Sequence, residues 1–264
     1  RGGLLFVPTS GASIKLLYGR AFRAPNVREV LVSVTPNQNG VVPFTNGNPS
    51  LRPESIDTIE FDLSGQSSKF KARASTFVSV IQDQINKRVL DEGITSDLGN
   101  QFYDNLGSGS VIGAEAEMEW RPDQFAIDLS YSATIATDIN TGNTTYAFPQ
   151  HMAHFRFGYQ PASTIWLNLR GDVYGKRPRM DWVKVPGIED GPAFTLMHFN
   201  MSYTPTRKND WAIEGTIFNL LDAQYKTMIY LDDVNALNDQ GTAKYFNDIE
   251  GEERSLYVSL TKKY

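Results

Sequence analysis

The sequence predicts an all-β protein, a transmembrane antiparallel β-barrel, on three observations. Apolar and polar residues alternate along many segments, short and long connections alternate between those segments, and aromatic residues fall near the segment ends. No segment of comparable length combines a 3.6-residue period with helix caps. No apolar run approaches the roughly 18 residues that a membrane-spanning helix requires. A helical membrane protein is therefore excluded.

The period of two predicts about ten full strands and the tail of one more. The clearest window is 124–136, where every second side chain is apolar. The window 111–120 repeats this pattern and places three carboxylates on one face, which must contact water and is predicted to be lumenal: Glu115, Glu117 and Glu119. Similar windows predict strands at 2–7, 13–20, 56–64, 70–85, 151–160, 164–174, 195–203, 211–218 and 254–264.

The connections between these strands alternate strictly in length. Short connections rich in turn-forming residues are predicted at 8–12, 65–69, 121–123, 161–163 and 205–209. Long ones are predicted at 21–55, 86–108, 137–150, 175–193 and 219–253. Outer-membrane barrels have short periplasmic turns and long outer loops. If the last strand ends in the periplasm at Tyr264, every short connection lies on that side.

Composition and motifs argue against several function classes. The chain has 25 Lys and Arg against 30 Asp and Glu, a net charge of −5, which argues against a nucleic-acid partner. It has no Cys and shows no nucleotide-binding, zinc-protease or hydrolase motif, so we predict no enzyme, catalytic residue, metal site or cofactor. His151 and His154 point to opposite faces of a strand, whereas His154 and His198 share the lumenal face on non-neighbouring strands. Ordinary lumenal histidines are the favoured interpretation.

Three motifs carry a resemblance to a known family. Residues 18–26 read Y-G-R-A-F-R-A-P-N, residues 48–55 read N-P-S-L-R-P-E-S, and Glu60 follows. Residues 113–117 read G-A-E-A-E, and residues 219–225 read N-L-L-D-A-Q-Y. This order resembles the TonB-dependent outer-membrane transporters. The positions that match the first, paired signature are Phe22, Arg23, Pro25, Asn48, Pro49, Leu51, Pro53, Glu54 and Glu60.

The resemblance implies that residues 1–264 form the C-terminal portion of a larger barrel. The family has a 22-stranded barrel preceded by a plug domain, and this chain carries about 10–11 strands and no plug. We therefore expect either an open sheet or added strands from elsewhere, because unpaired strand edges do not persist in hydrocarbon. Arg23 is expected to pair with Glu54 or Glu60.

The resemblance also implies a function. It implies active import of a scarce nutrient, by default a ferric siderophore or similar metal chelate, with cobalamin or a saccharide as alternatives. Implied partners are outer-membrane lipid and lipopolysaccharide, the TonB complex through the plug, the rest of the barrel and a small-molecule substrate. A passive porin-like channel and a soluble β-sandwich remain alternatives. Residues of the long loops are predicted to contact substrate: Arg177, Arg179, Trp182, Tyr230, Tyr245 and Phe246.

Overall fold

The computed structural model of the chain describes residues 1–31, 44–89, 100–140, 142, 144, 148–178, 191–205, 211–227 and 249–262. These residues are mostly β-strand, and no helix among them is long and apolar enough to cross a membrane. One five-residue helix, α1, covers Val27–Leu31. The strands are β1 (Gly2–Thr9), β2 (Ala12–Arg23), β3 (Phe44–Asn46), β4 (Glu54–Gln66), β5 (Phe70–Val89), β6 (Asn100–Trp120), β7 (Phe125–Asp138), β8 (His151–Ala162), β9 (Ile165–Tyr174), β10 (Phe194–Tyr203), β11 (Trp211–Phe218), β12 (Lys226–Thr227), β13 (Ile249–Glu250) and β14 (Ser255–Lys262).

Eleven strands form one antiparallel sheet in the order β1-β2-β4-β5-β6-β7-β8-β9-β10-β11-β14. Strands that are neighbours in the sheet are also consecutive along the chain, if the small strands in two long connections are left aside. Strand β3 pairs in parallel with the start of β6, and β12 pairs with β13 as a separate two-stranded sheet. We call the strand ends joined by short connections the turn rim and the opposite ends the loop rim. The predicted all-β, antiparallel architecture of about 10–11 strands is confirmed.

Strands β5 and β6 are longer than the alternation predicted. They contain 20 and 21 residues, about twice the 9–11 that a spanning strand needs. The prediction at 111–120 missed the first half of β6, because residues such as Gly107, Ser108 and Gly109 show no apolar alternation there. The excess residues lie at the loop rim, so these two strands extend beyond the others.

The sheet has one polar and one apolar face. Cross-strand pairing joins Asp128 to Arg156, Arg156 to Arg170, and Arg170 to His198 on the polar face. The same pairing carries an apolar row across the other face, made of Ile127, Phe157, Leu169 and Phe199. The predicted alternation of side chains between two faces is confirmed, and the pairing places Leu129 and Leu167 on the apolar face and Asn168 and Asn200 on the polar face.

The structure has almost no conventional core. In the described ranges only three apolar side chains are buried: Ile85, Ala126 and Ala136. Large apolar side chains such as Ile112 and Leu129 are exposed. A soluble sandwich would cover this face with protein, and no described element does so. The apolar face instead matches the outward surface of a membrane barrel.

Both edges of the sheet are open within the described part of the chain. Strand β1 pairs with β2 alone, and β14 pairs with β11 alone. Leu4 and Leu260, one on each edge strand, are each 72% exposed. The expected open sheet is confirmed, and its two edges present unpaired backbone N–H and C=O groups.

Two glycines make room for aromatic rings on neighbouring strands. A Cβ at Gly171 would lie 2.1 Å from the Phe155 ring on the apolar face. A Cβ at Gly113 would lie 2.3 Å from the Phe77 ring on the polar face. Each ring therefore covers a backbone segment that has no side chain of its own, and any larger residue would displace the ring.

Candidate functional site

The paired signature forms a clasp at the loop rim. Arg23, the last residue of β2, donates two hydrogen bonds to Glu54, the first residue of β4, at 2.6 and 2.8 Å. Its Nη1 also donates to both oxygens of Glu29 at 3.1 Å. Glu54 Oε1 accepts a further bond from the Ile85 backbone N–H at 2.7 Å. The expected pairing of Arg23 with Glu54 is confirmed.

Helix α1 holds Glu29 in place for this contact. Asn26 Oδ1 accepts from the Glu29 N–H at 3.0 Å, and Glu29 Oε2 accepts from the Asn26 N–H at 2.8 Å. This reciprocal arrangement is a capping box, which satisfies two N–H groups at the start of a helix. The first half of the signature therefore ends in a short capped helix whose carboxylate returns to Arg23.

The second half of the signature is fastened to the extended β5–β6 pair. Asn48 Nδ2 donates to the Tyr103 carbonyl at 3.0 Å. Asn105 Oδ1 accepts from the Arg52 N–H at 2.8 Å, and Asn105 Nδ2 donates to the Arg52 and Asp83 carbonyls at 3.0 and 2.7 Å. The 24–53 connection is thus tied down at both ends.

Arg52 and Asp83 add an ion pair to this attachment. Arg52 Nη2 lies 2.5 Å from Asp83 Oδ1. Asp83 is the fourteenth residue of β5 counted from the turn rim, beyond the length that spans a membrane. The hydrogen bond from Arg52 holds the pKa of Asp83 below its ordinary value, and the same bond raises the pKa of Arg52. Asp83 also has a φ of 56°, at the point where the β5–β6 register shifts.

The polar face carries a belt of charged side chains. The buried Asp62 contacts Arg73, and Lys15 Nζ lies 3.7 Å from Asp62 Oδ1. Arg73 also lies 3.4 Å from Glu60. The second part of the belt runs towards the turn rim through contacts among Lys71, Glu119, Arg121, Asp128 and Arg156.

The three predicted lumenal carboxylates differ in their contacts. Glu119 pairs with Lys71 at 3.7 Å and with Arg121 at 3.6 Å. Glu115 and Glu117 form no ion pair with any described residue, and both are exposed on the polar face. Glu115 and Glu117 are therefore solvated, and among the described groups of His, Cys, Asp and Glu no three could hold a metal ion.

Asp172 on β9 joins two histidines from the strands on either side. His154 Nδ1 on β8 lies 2.7 Å from Asp172 Oδ1, and His198 Nε2 on β10 lies 3.3 Å from Asp172 Oδ2. Arg170 Nη2 contacts Asp172 Oδ2 at 3.1 Å. The prediction correctly placed the two histidines on non-neighbouring strands but missed the carboxylate between them. The alternation around Asp172 was the available signal, because it places Asp172 and both histidines on one face.

The motif at residues 219–225 holds the two ends of the 219–253 connection together. Asn219, only 3% exposed, donates from Nδ2 to the Ala223 and Glu252 carbonyls at 3.0 Å each. The Tyr225 carbonyl accepts from Gly251 N–H at 2.8 Å. Tyr225 packs so closely on Gly251 that a Cβ there would lie 2.1 Å from the ring. The motif thus holds the start of this connection against its end.

Arg177 is the one described member of the predicted substrate-contacting set. It is 7% exposed, its Nη2 donates to the Lys226 carbonyl at 2.7 Å, and its guanidinium lies 5.2 Å from the Phe194 ring centroid. It therefore joins the 175–193 and 219–253 connections. The other five lie outside the described residues, and their role stays a prediction: Arg179, Trp182, Tyr230, Tyr245 and Phe246.

Comparison with known proteins agrees with this geometry. Residues 1–220 match the family described as TonB dependent receptor-like, beta-barrel. The heme/hemopexin utilization protein C of Haemophilus influenzae is 26% identical over 273 residues, covering 92% of this chain and 37% of the relative.

Solved structures show the same fold. A mutant ferric enterobactin receptor from Pseudomonas aeruginosa superposes with a TM-score of 0.73 at 15% identity, covering 99% of this chain and 39% of that receptor. The copper transporter OprC superposes with a TM-score of 0.71 at 18% identity, covering 98% and 38%. The chain thus spans well under half the length of each of these proteins.

Proposed function

Because the chain belongs to the TonB-dependent receptor-like β-barrel family, we propose that it forms the C-terminal portion of an active outer-membrane transporter. Members of this family are outer-membrane barrels of Gram-negative bacteria and are transporters and receptors, not enzymes. The observation that supports the proposal most strongly is the two-faced sheet with open edges. Its apolar face suits lipid, its charged face suits a hydrated lumen, and its loop rim carries the clasped signature.

The remaining strands and the plug belong to another part of the same receptor. Each open edge presents backbone groups that cost several kcal/mol apiece if left unpaired in lipid. Strands β1 and β14 therefore pair with strands outside this chain in the closed barrel. The 264 residues correspond to about half of a 22-stranded barrel, and the plug, which contacts TonB, occupies the lumen.

The membrane orientation follows from the two rims. The turn rim lies in the periplasm together with the C-terminus, and the loop rim faces outwards. The apolar face contacts lipid, and the outer ends of the strands meet lipopolysaccharide. This orientation places the clasp and the 175–193 and 219–253 connections where an arriving substrate is met first.

The substrate class is a metal chelate, with a ferric siderophore as the default. The relatives' names, which include heme utilization, ferric enterobactin and copper transport, support a metal-bearing cargo. Cobalamin and saccharides are the alternative classes. Substrate contacts come from the loops, chiefly through Arg179, Trp182, Tyr230, Tyr245 and Phe246, with Arg177 holding two loops together.

The transport proposal is tested with the complete receptor in an outer membrane. Uptake of iron-55 siderophores is measured in strains with and without TonB. We expect uptake that disappears without TonB. Uptake that persists in the TonB-deficient strain would instead support a passive porin-like channel.

The loop contacts are tested by equilibrium binding of a substrate that the receptor transports. Trp182→Ala and Tyr230→Ala are expected to weaken binding at least tenfold, because aromatic residues carry a large share of binding energy. Trp211→Ala, on a strand at the turn rim, is the matched control. Unchanged affinity in both loop variants would remove these loops from the site.

A further inference from the structure

Two of the long connections are each closed at their base by backbone hydrogen bonds. In the 175–193 connection, the Arg177 and Gly191 N–H groups each donate to the other residue's carbonyl at 2.9 Å. In the 219–253 connection, β12 pairs with β13, and the Gly251 N–H donates to the Tyr225 carbonyl at 2.8 Å. We call residues 175–178 with 191–194 the first neck, and residues 219–227 with 249–252 the second neck.

The Arg177 side chain crosses from the first neck to the second. Carbonyls of successive residues in a strand point to opposite sides, and the Tyr225 carbonyl faces Gly251, so the Lys226 carbonyl faces away from β13. Arg177 Nη2 donates to this Lys226 carbonyl at 2.7 Å. Because Arg177 is only 7% exposed, separating the necks would take a buried guanidinium away from one of its acceptors, which is costly.

Three stacked aromatic rings form a second link between the necks. Phe194, the first residue of β10, stacks on Tyr225 of the second neck and on Tyr174 at the end of β9, with ring centroids 4.8 Å apart in both pairs. The Arg177 guanidinium lies 5.2 Å from the Phe194 centroid. The Tyr225 ring in turn covers Gly251, where a Cβ would lie 2.1 Å from it. The position of the Tyr225 ring therefore depends on residues of the first neck.

The two links share their members, which is the condition for cooperative opening. Opening the first neck moves Arg177 away from both Phe194 and the Lys226 carbonyl. Opening the second neck moves Tyr225 away from Phe194 and the Lys226 carbonyl away from Arg177. Residues of one contact network have interaction energies that do not add, and such networks open as units.

We propose that Arg177 is a positioning residue that makes the two necks open and close as one unit. The predicted substrate contacts follow closely along the chain, since Arg179 is two residues after Arg177 and Tyr230 is four residues after Lys226. A substrate held by one loop would therefore also stabilise the base of the other loop. That consequence rests on the proposed function, whereas the coupling of the necks does not.

Hydrogen exchange in the complete receptor, without substrate, tests the coupling from both sides. Arg177→Met should accelerate exchange of the Gly251 amide at least fivefold, although residue 177 belongs to the first neck. Tyr225→Leu should accelerate exchange of the Gly191 amide at least fivefold, although residue 225 belongs to the second. In the double variant the acceleration should be smaller than the product of the two single effects. Arg177→Lys, which keeps the charge and a donor, should restore most of the protection.

Two variants at the turn rim are the matched controls. Arg121 Nη1 donates to the Ile127 carbonyl at 3.1 Å, and Phe125 stacks on Tyr159 with centroids 4.9 Å apart. Arg121→Met and Phe125→Leu therefore remove the same kinds of contact at the opposite rim. Both should leave exchange in the two necks as in wild type.

Heat-modifiable migration on gels verifies that each variant is folded. The proposal is overturned if, in folded variants, each substitution accelerates exchange less than fivefold in the neck to which it does not belong. It is also overturned if the effects multiply fully in the double variant. Siderophore uptake that persists without TonB would instead remove the transport proposal and leave the coupling of the necks standing.

Discussion

Replacing Glu54 with Gln should loosen the clasp without removing the acceptor that Ile85 uses. Glu54 accepts two charge-assisted bonds from Arg23 and one from the Ile85 N–H. In Glu54→Gln the amide oxygen can still accept from the Ile85 N–H. One of the two hydrogen bonds from Arg23 is lost, and the acceptor of the other is no longer a charged carboxylate. The Ile85 amide therefore reports the opening of the clasp itself.

The size of the effect follows from the contacts and their exposure. Hydrogen bonds to charged groups contribute roughly 1.5–3 kcal/mol each. The Arg23 side chain is 46% exposed and retains Glu29, so water and the second carboxylate offset part of the loss. We expect the opening free energy to fall by about 2 kcal/mol, which corresponds to roughly 30-fold faster exchange of the Ile85 amide.

The assay is hydrogen exchange in the complete receptor. Glu60→Gln is the matched control, because Glu60 lies on the same strand and face but contacts Arg73. Its Ile85 amide should exchange as in wild type. Arg23→Lys should give an intermediate rate, since it keeps the charge but not the two-pronged contact. Less than threefold acceleration in Glu54→Gln, or equal acceleration in the control, would refute the clasp as the restraint on this segment.

Three other predictions concern the faces, the packing and the loop attachment. Leu129→Arg should lower folded yield far more than Ser130→Arg, because charge on the lipid face costs about 2–4 kcal/mol at mid-bilayer; equal yields would contradict the assigned faces. Gly171→Ala should destabilise the barrel by about 1–3 kcal/mol in urea unfolding, because the new methyl group displaces the Phe155 ring; unchanged stability would show that the ring moves freely. Because the pKa of Asp83 lies below its ordinary value of 3.8, its carboxyl should be more than half ionised at pH 3.8 and should lose its contact with Arg52 only in more acidic solution; a titration midpoint at or above pH 3.8 in carboxyl carbon chemical shifts would contradict this.

The membrane-spanning parts were predictable because lipid on one side and water on the other impose a period of two. Strand β11 was predicted with both ends correct, and β9 to within one residue. Residues 86–89 of β5 and 100–110 of β6 escaped prediction because the sequence there shows no alternation of apolar and polar residues. Strands β12 and β13, of two residues each, are too short to show any period.

Site residues were likewise predictable where a local motif specifies them, and not where their contacts depend on how strands pair. The Arg23 and Glu54 pair could be expected from the signature and from opposite charges at facing strand ends. Asn105 could not, because its bonds to Arg52 and Asp83 depend on a register shift between β5 and β6 that no local pattern specifies. Asp172 lay within a predicted strand, but its role depends on which strands flank it.

The neighbour-to-neighbour strand order has a consequence for how such receptors diversify. Every strand pair in the main sheet joins elements that follow one another along the chain, and its register is set by cross-strand contacts. Within the described residues, the long connections add only the small strand β3 to the main sheet, and the 24–53 connection also contacts β2, β5 and β6 through side chains. Outside these contacts, we expect that a long connection can change in length and composition without altering the register of the wall strands. A receptor of this design can exchange its outer loops for those of a relative and acquire a new specificity while the wall folds as before.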